Sequence, residues 1–239
     1  MSKESLIKVY DYFHAKTGIT FDTQMSIFES KLKVFCRKHG YSSFSALLSQ
    51  IKLNAKLEQE LTNHLTTNET YFFREIKQIE ELVKVIKEEQ RFSKVDILCA
   101  PCATGEEPYS ISIMLLEAGV TNFNLTGIDI NSEAIQKAKE AKYTSRHIKN
   151  LSQNQLKKYF SHQDGLYILN DEIKKHTSLK VANIFDKDFN KLGKFDYIFS
   201  RNMLIYFKQE TKLKAKKILE NMRKNSETNI FLGHADLFV

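Results

Sequence analysis

The 239-residue chain reads as an α/β protein preceded by an all-helical N-terminal region. Three observations predict this. Up to about residue 90 the apolar residues recur at helical spacing, and beyond residue 93 short apolar runs alternate with helix-length amphipathic stretches. The chain's two prolines, Pro101 and Pro108, both fall just after the first of those runs, so no proline breaks the helical pattern before it.

Taken in order, Leu6, Val9, Tyr10 and Phe13 lie three and four apart, as do Phe28, Leu32 and Phe35, and then Phe44, Leu47, Leu48 and Ile51. Gly18 and Gly40 stop the first two helices, and Ser42 or Ser43 can cap the third. The charged stretch 75–90 carries Ile76, Ile79, Leu82, Val83 and Ile86 on one face, which predicts a long amphipathic connector. The expected division is a helical domain over 1–74, a linker helix over 75–92 and an α/β domain over 93–239. The apolar runs of the last are VDILCA (95–100), FNLTGIDI (123–130), LKVANIF (179–185), FDYIFS (195–200) and NIFLGH (229–234), with helical stretches at 106–118, 131–141 and 208–224. Such alternation predicts a mainly parallel sheet covered on both faces, and ligands of such sheets bind beyond the carboxyl ends of the strands.

Composition narrows the function classes. With 42% hydrophobic residues the chain can bury a core, yet its longest apolar runs, such as ISIMLL (111–116), are far too short to span a membrane. Three cysteines cannot build a disulfide framework, so a reducing, cytoplasmic location is expected. The net charge of +7 sits mostly after residue 90, where 23 Lys/Arg face 17 Asp/Glu. Clusters such as Lys212, Lys214, Lys216 and Lys217 fit a solvated helix face, and no nucleic-acid partner is expected.

The segment CAPCATGEEPYSI (99–111) leads from the first run into a helix. It holds one glycine, Gly105, so the GxGxxG dinucleotide fingerprint is absent. Glu106 and Glu107 would repel a phosphate and suit a cationic sulfonium, a ribose or an amino group, although two carboxylates also favour a helix N-terminus for its dipole alone. Cys99 and Cys102 form a C-x-x-C, but no proline follows Pro108 to complete a thioredoxin-like site, and zinc would need two more ligands. They are expected to be buried packing residues, with no metal bound. Asp129 stands at the tip of the second run, where an acidic residue can accept hydrogen bonds from two ribose hydroxyls. Its alternative, capping the next helix, is better served by Asn131 or Ser132.

Five segments, TTNETYFFRE (66–75), CATGEEPYS (102–110), GIDINSEAIQKAK (127–139), FDYIFSRNMLIYF (195–207) and LGHAD (232–236), together resemble the CheR-type chemotaxis-receptor methyltransferases in order and spacing. That resemblance implies a Rossmann-like sheet dependent on S-adenosylmethionine (SAM), an N-terminal all-helical domain and a small β-subdomain insert at about 160–176. It implies methyl transfer to glutamate side chains of chemoreceptor cytoplasmic domains, with S-adenosylhomocysteine as product. Carried over by residue, it puts Asn68, Thr70, Arg74 and Glu107 on SAM, Asp129 on the ribose, Asn183 with Ile184 by the adenine, and Asn202 with Met203 along the floor. Arg74 and Tyr206 would face the reacting centre, and Lys31 and Arg37 would dock the receptor. Phe72, Phe73 and Phe207 read as core.

Two other readings compete. A nucleic-acid methyltransferase would want an Asn/Asp-Pro-Pro-Tyr/Phe motif after the fourth run, where this chain has Arg201-Asn202-Met203-Leu204. A non-catalytic SAM-binding module that docks on receptors would keep Asp129 but need not keep Arg74.

Overall fold

The computed structural model describes residues 2–89 and 94–237. Its first part is helical: α1 (Lys3–Thr17), α2 (Met25–Lys38), α3 (Phe44–Ile51), α4 (Ala55–Leu65) and α5 (Ile76–Glu88). Ser2 caps α1 and Ser43 caps α3, each accepting from the amide three residues on. The predicted stripes close on one another, with Leu6, Val9, Phe13, Phe28, Leu32, Phe35, Leu47 and Ile51 in one buried cluster. The helix α4 escaped the sequence reading because its stripe is thin. Only Leu57, Leu61 and Leu65, four apart, reach the core from an otherwise polar segment. The expected end of the linker helix at 92, and with it the boundary at 92/93, lies outside the described residues.

The second part is built on β1 (Val95–Cys99), β2 (Phe123–Asp129), β6 (Thr177–Val181), β7 (Tyr197–Ser200) and β8 (Ile230–Leu232), in the order β6-β2-β1-β7-β8 with every pair parallel. Between them run α6 (Glu106–Glu117), α7 (Ser132–Glu140) and α10 (Gln209–Asn221). The sheet is apolar on both faces. Ile97, Cys99, Leu125, Tyr197 and Phe199 pack with α5, α6 and α7, while Leu98, Ile128 and Ile198 pack with Ala215 and Leu219 of α10. Alternation along each strand thus feeds two cores, which is why the strands read as unbroken apolar runs.

The third run is displaced from its expectation. The strand covers Thr177–Val181, not 179–185, because Asn183 makes a turn in which its side-chain oxygen accepts from the Phe185 amide at 3.0 Å. The last run also ends early, and His234–Leu237 forms a short helix, α11. The small subdomain is antiparallel, in the order β3-β5-β4: β3 (Lys142–Tyr143), β4 (Phe160–Gln163) and β5 (Leu166–Leu169). The hairpin turns at Asp164 and Gly165, both left-handed, and β3 comes from outside the expected 160–176 range. Two short helices, α8 (Gln153–Tyr159) and α9 (Asp171–Lys174), flank the hairpin.

Direct contacts join the helical part to the sheet. The Gln59 amide donates to the Ile130 carbonyl at 2.8 Å, Asn63 accepts from the Ser132 amide at 2.9 Å, and the Thr20 amide donates to the Tyr206 carbonyl at 2.8 Å. These contacts bring residues 17–31 and 65–74 over the carboxyl ends of β1, β2 and β7.

Candidate active site

The two parts enclose a cleft of about 500 Å³ at that edge of the sheet, within the range of small-molecule sites. Its base is the turn after β1. Cys102 donates its amide to the Ile128 carbonyl at 2.7 Å, and Ala103 donates to the Asp129 carboxylate at 2.9 Å, drawing the turn against the end of β2. Gly105 closes it at φ +94°, where a Cβ would stand 2.8 Å from the Tyr109 ring and 3.0 Å from Ala138. That position combines a left-handed backbone with no room, so only glycine fits.

Asp129 is the best-connected group in the cleft. It is buried and accepts from the amides of Asn131 (2.8 Å) and Ala103 (2.9 Å) and from the Asn68 side chain (3.4 Å). Burial pushes its carboxyl up to about 6, and these three donors pull against that shift. Asn131 caps α7, as expected. Its amide nitrogen also donates to Thr66 Oγ1 (2.8 Å), Asn68 Oδ1 (3.0 Å) and the Asn63 carbonyl (3.2 Å), so one side chain sets Asn68 beside Asp129.

Glu107 is buried and ion-paired with the buried Arg201. Burial raises its pKa while Arg201 lowers it, and burial prevails. Its Oε1 is buried with no hydrogen-bond partner among the described residues. A bare carboxylate oxygen beside the cleft is a place for a cationic donor such as an amino group. Neighbouring Glu106 points away from the cleft, accepting from Thr104 Oγ1 on both oxygens, and burial pushes it up to about 7.

Arg74 stands on a backbone turn between two left-handed non-glycine residues, Phe73 (φ 56°) and Glu75 (φ 49°). The Arg201 guanidinium holds the turn from below, donating to the carbonyls of Arg74 (2.9 Å) and Glu75 (3.3 Å). Arg74 itself donates to the Glu69 carbonyl at 2.9 Å, and its guanidinium lies 5.9 Å from the Tyr71 ring. Across the cleft Tyr206 is half-exposed. Burial raises its hydroxyl's pKa, and the charge of Arg74 counters that.

Asn68, Thr70, Arg74, Glu107, Asp129, Asn183, Ile184, Asn202, Met203 and Tyr206 all line this one cleft, although they come from five separate stretches of chain. Asn183 is also tied down, its amide donating to the Lys16 carbonyl at 2.8 Å. Lys31 lines the cleft too, but its ammonium is engaged with the Leu65 carbonyl at 3.1 Å. Arg37 is exposed farther along α2 and does not border the cleft. Phe72, Phe73 and Phe207 are buried. So are Cys99 and Cys102, whose thiols burial pushes well up, away from the reactive thiolate. Among the described residues no group of three His, Cys, Asp or Glu is arranged to hold a metal, and no helix is long and apolar enough to cross a membrane.

Two residues of the site were not assigned from sequence. Arg201 carried a signal, since a cation directly after a buried strand must find a partner or a cleft. Asp236, which is fully buried behind Asn202, carried none.

Residues 68–239 match the family described as CheR methyltransferase, SAM-binding domain. Among curated proteins, a chemotaxis protein methyltransferase of Campylobacter jejuni (strain 81-176) is 36% identical over 92% of this chain and 84% of its own length. Chemotaxis protein methyltransferase 2 of Vibrio cholerae is 35% identical over 95% of this chain and 83% of its own. The chemotaxis protein methyltransferase of Escherichia coli K12 is 28% identical over 97% and 83%.

Proposed function

Since the chain belongs to the CheR methyltransferase family and so takes its methyl group from SAM, we propose that it methylates glutamate side chains on the cytoplasmic domain of chemoreceptors, acting in the cytoplasm and releasing S-adenosylhomocysteine. The observation that carries the choice of acceptor is the lining of the cleft. Arg74 and Tyr206 both belong to it, and no histidine is among the described residues that line it. A cation and a hydroxyl donor receive a carboxylate, and a glutamate, with an ordinary pKa of about 4.3, arrives already deprotonated at pH 7. The acceptor therefore needs no general base.

SAM, when bound, supplies a methyl group on a cationic sulfur. The residues present fit its polar groups: Asp129 can accept from ribose hydroxyls, and the bare oxygen of Glu107 can accept from the amino group. Asn68 and Thr70 would also contact the cofactor, Asn183 and Ile184 would lie by the adenine, and Asn202 with Met203 would line the floor. What remains for the protein is alignment, and holding two reactants in line supplies up to roughly 7–11 kcal/mol of a barrier. Arg74 and Tyr206 are cast as the aligning groups. An arginine clamped on the attacking oxygen would weaken its nucleophilicity, so Arg74 positions and does not act as an acid. Lys31 and Arg37 are the candidate receptor contacts, with Arg37 the freer of the two.

Incubation with methyl-labelled SAM and receptor cytoplasmic domains tests this, the expected product being an alkali-labile ester that releases methanol. Arg74→Ala should cut transfer by at least tenfold, mainly in kcat if it aligns the pair and mainly in KM for SAM if it only anchors the cofactor. A protein that binds SAM yet labels no receptor glutamate would overturn the proposal.

A further inference from the structure

The LGHAD segment, the last of the five that carry the resemblance, has no task in the cleft as described above. In the structure it ends β8 and turns directly behind the cleft. Asp236 is 0% exposed, and no cation pairs with it among the described residues. Its carboxylate is instead satisfied by backbone amides. Oδ2 accepts from Asn202 and from Gly233 (3.2 Å), and Oδ1 accepts from Ile205 (3.3 Å). A buried carboxylate without a counter-ion is tolerable only where several donors converge on it, so the loop and the carboxylate fix one another.

The loop so held, residues 202–206, bears four of the residues that line the cleft, Asn202, Met203, Ile205 and Tyr206. Asn202 is left-handed at φ 58°, a region that asparagine enters more readily than most residues, so the chain can turn here toward the Asp236 carboxylate. Gly233 fits against the same point: a Cβ there would come 2.8 Å from the Asn202 nitrogen and 3.0 Å from Asp236 Oδ2. From the same turn, the His234 amide donates to Glu75 Oε2 at 3.2 Å, next to Arg74. One four-residue turn thus touches the supports of both Tyr206 and Arg74.

We propose that Asp236 is a positioning residue for methyl transfer: by gathering the amides of Asn202, Ile205 and Gly233, it sets the cleft floor and the stance of the Tyr206 hydroxyl. This rests on the methyl-transfer reading of the cleft, but its first consequence does not depend on which acceptor is used. Asp236→Asn keeps the shape and one acceptor oxygen, while turning an NH₂ group or a weaker neutral oxygen toward the three amides.

The test has three readouts on the full chain, at a temperature where each variant is folded by circular dichroism. Amide hydrogen exchange should show Asn202, Ile205 and Gly233 losing protection in Asp236→Asn while the amides of β1 and β2 keep theirs. S-adenosylhomocysteine affinity by calorimetry should fall severalfold. At saturating SAM the transfer rate should fall between roughly tenfold and a hundredfold, the scale of a misplacement of about 1 Å. Combined with Tyr206→Phe, the two losses should be less than multiplicative, because the aspartate acts through the tyrosine, whereas a general loss of stability would leave them independent. Unchanged protection of the three amides overturns the proposal. So does lost protection with unchanged affinity and rate, or a multiplicative double variant. Should Asp236→Asn not fold, Gly233→Ala displaces the same Asn202 amide without altering the buried charge and is judged by the same outcomes. A wild-type protein that binds S-adenosylhomocysteine but labels no receptor would end the functional proposal, and this one would then be decided by exchange and affinity alone.

Discussion

Replacing Arg201 by methionine would leave Glu107 buried opposite an apolar chain and strip the carbonyls of Arg74 and Glu75 of their donor. Breaking a buried ion pair from one side costs about 3–5 kcal/mol. An independent route gives the same size. A buried glutamate that cannot stay charged takes up a proton, and holding it neutral at pH 7 against an unfolded value of about 4.3 costs about 1.4 kcal/mol for each of 2.7 pH units, or roughly 3.7 kcal/mol. The sign follows from the same shift. A carboxyl raised in the folded state contributes stability present below the unfolded value and lost as pH rises toward the folded one, so the deficit of Arg201→Met must deepen from pH 6 to pH 8. In a chain of this size the loss corresponds to a midpoint lowered by roughly 6–20 °C. Urea unfolding followed by far-ultraviolet circular dichroism at pH 6, 7 and 8 measures it, and the double variant Arg201→Met/Glu107→Leu should recover most of the loss. A deficit under about 1 kcal/mol, or one indifferent to pH, would refute the claim that this pair is buried and mutually dependent.

Asp129→Ala should weaken SAM binding by roughly 1.5–3 kcal/mol for each charge-assisted bond lost, and calorimetry decides it. Because burial lifts the Asp129 carboxyl to about 6, SAM affinity of the wild type should also decline as pH falls below that value, and a flat profile down to pH 5 would show that the anion is not what binds. Glu106, raised to about 7, weighs increasingly on stability between about pH 4.3 and 7. Glu106→Gln should flatten the fall in urea midpoint over that window, and an unchanged slope would assign it elsewhere. Cys99→Ala/Cys102→Ala should lose roughly 1–3 kcal/mol of stability yet keep full transfer, insensitive to chelators and reductants, whereas a folded double variant without activity would give these thiols a chemical role.

What the sequence made legible follows from what periodicity records. The strands β1, β2 and β7 show as apolar runs because both their faces are covered, and α2 and α3 because their stripes are dense. The strand β6 was read two residues late at its start and four late at its end, since Ala182 and Ile184 prolong its apolar run past the turn at Asn183. The strand β3, two residues long, has no period to read. Within the site, the cleft-lining side chains were found because resemblance indexes residue types. Asp236 was left without a role because it acts on backbone amides, partners whose identity is the same at every position of a sequence, and Arg201 because its side-chain partner, Glu107, lies 94 residues away and its other partners are backbone carbonyls.

The turn that carries Arg74 places stability and use in opposition. Phe73 and Glu75 both occupy a region where a side chain costs about 1–3 kcal/mol, and glycine would relax either one. A protein selected only for heat resistance would drift toward glycine at 75, the less buried of the two, and in doing so would surrender the carboxylate that meets His234 and slacken the mount of Arg74. Engineering for a hardier enzyme should therefore leave this turn untouched and seek its gains elsewhere, for instance at Leu53, a leucine 83% exposed in the turn between α3 and α4.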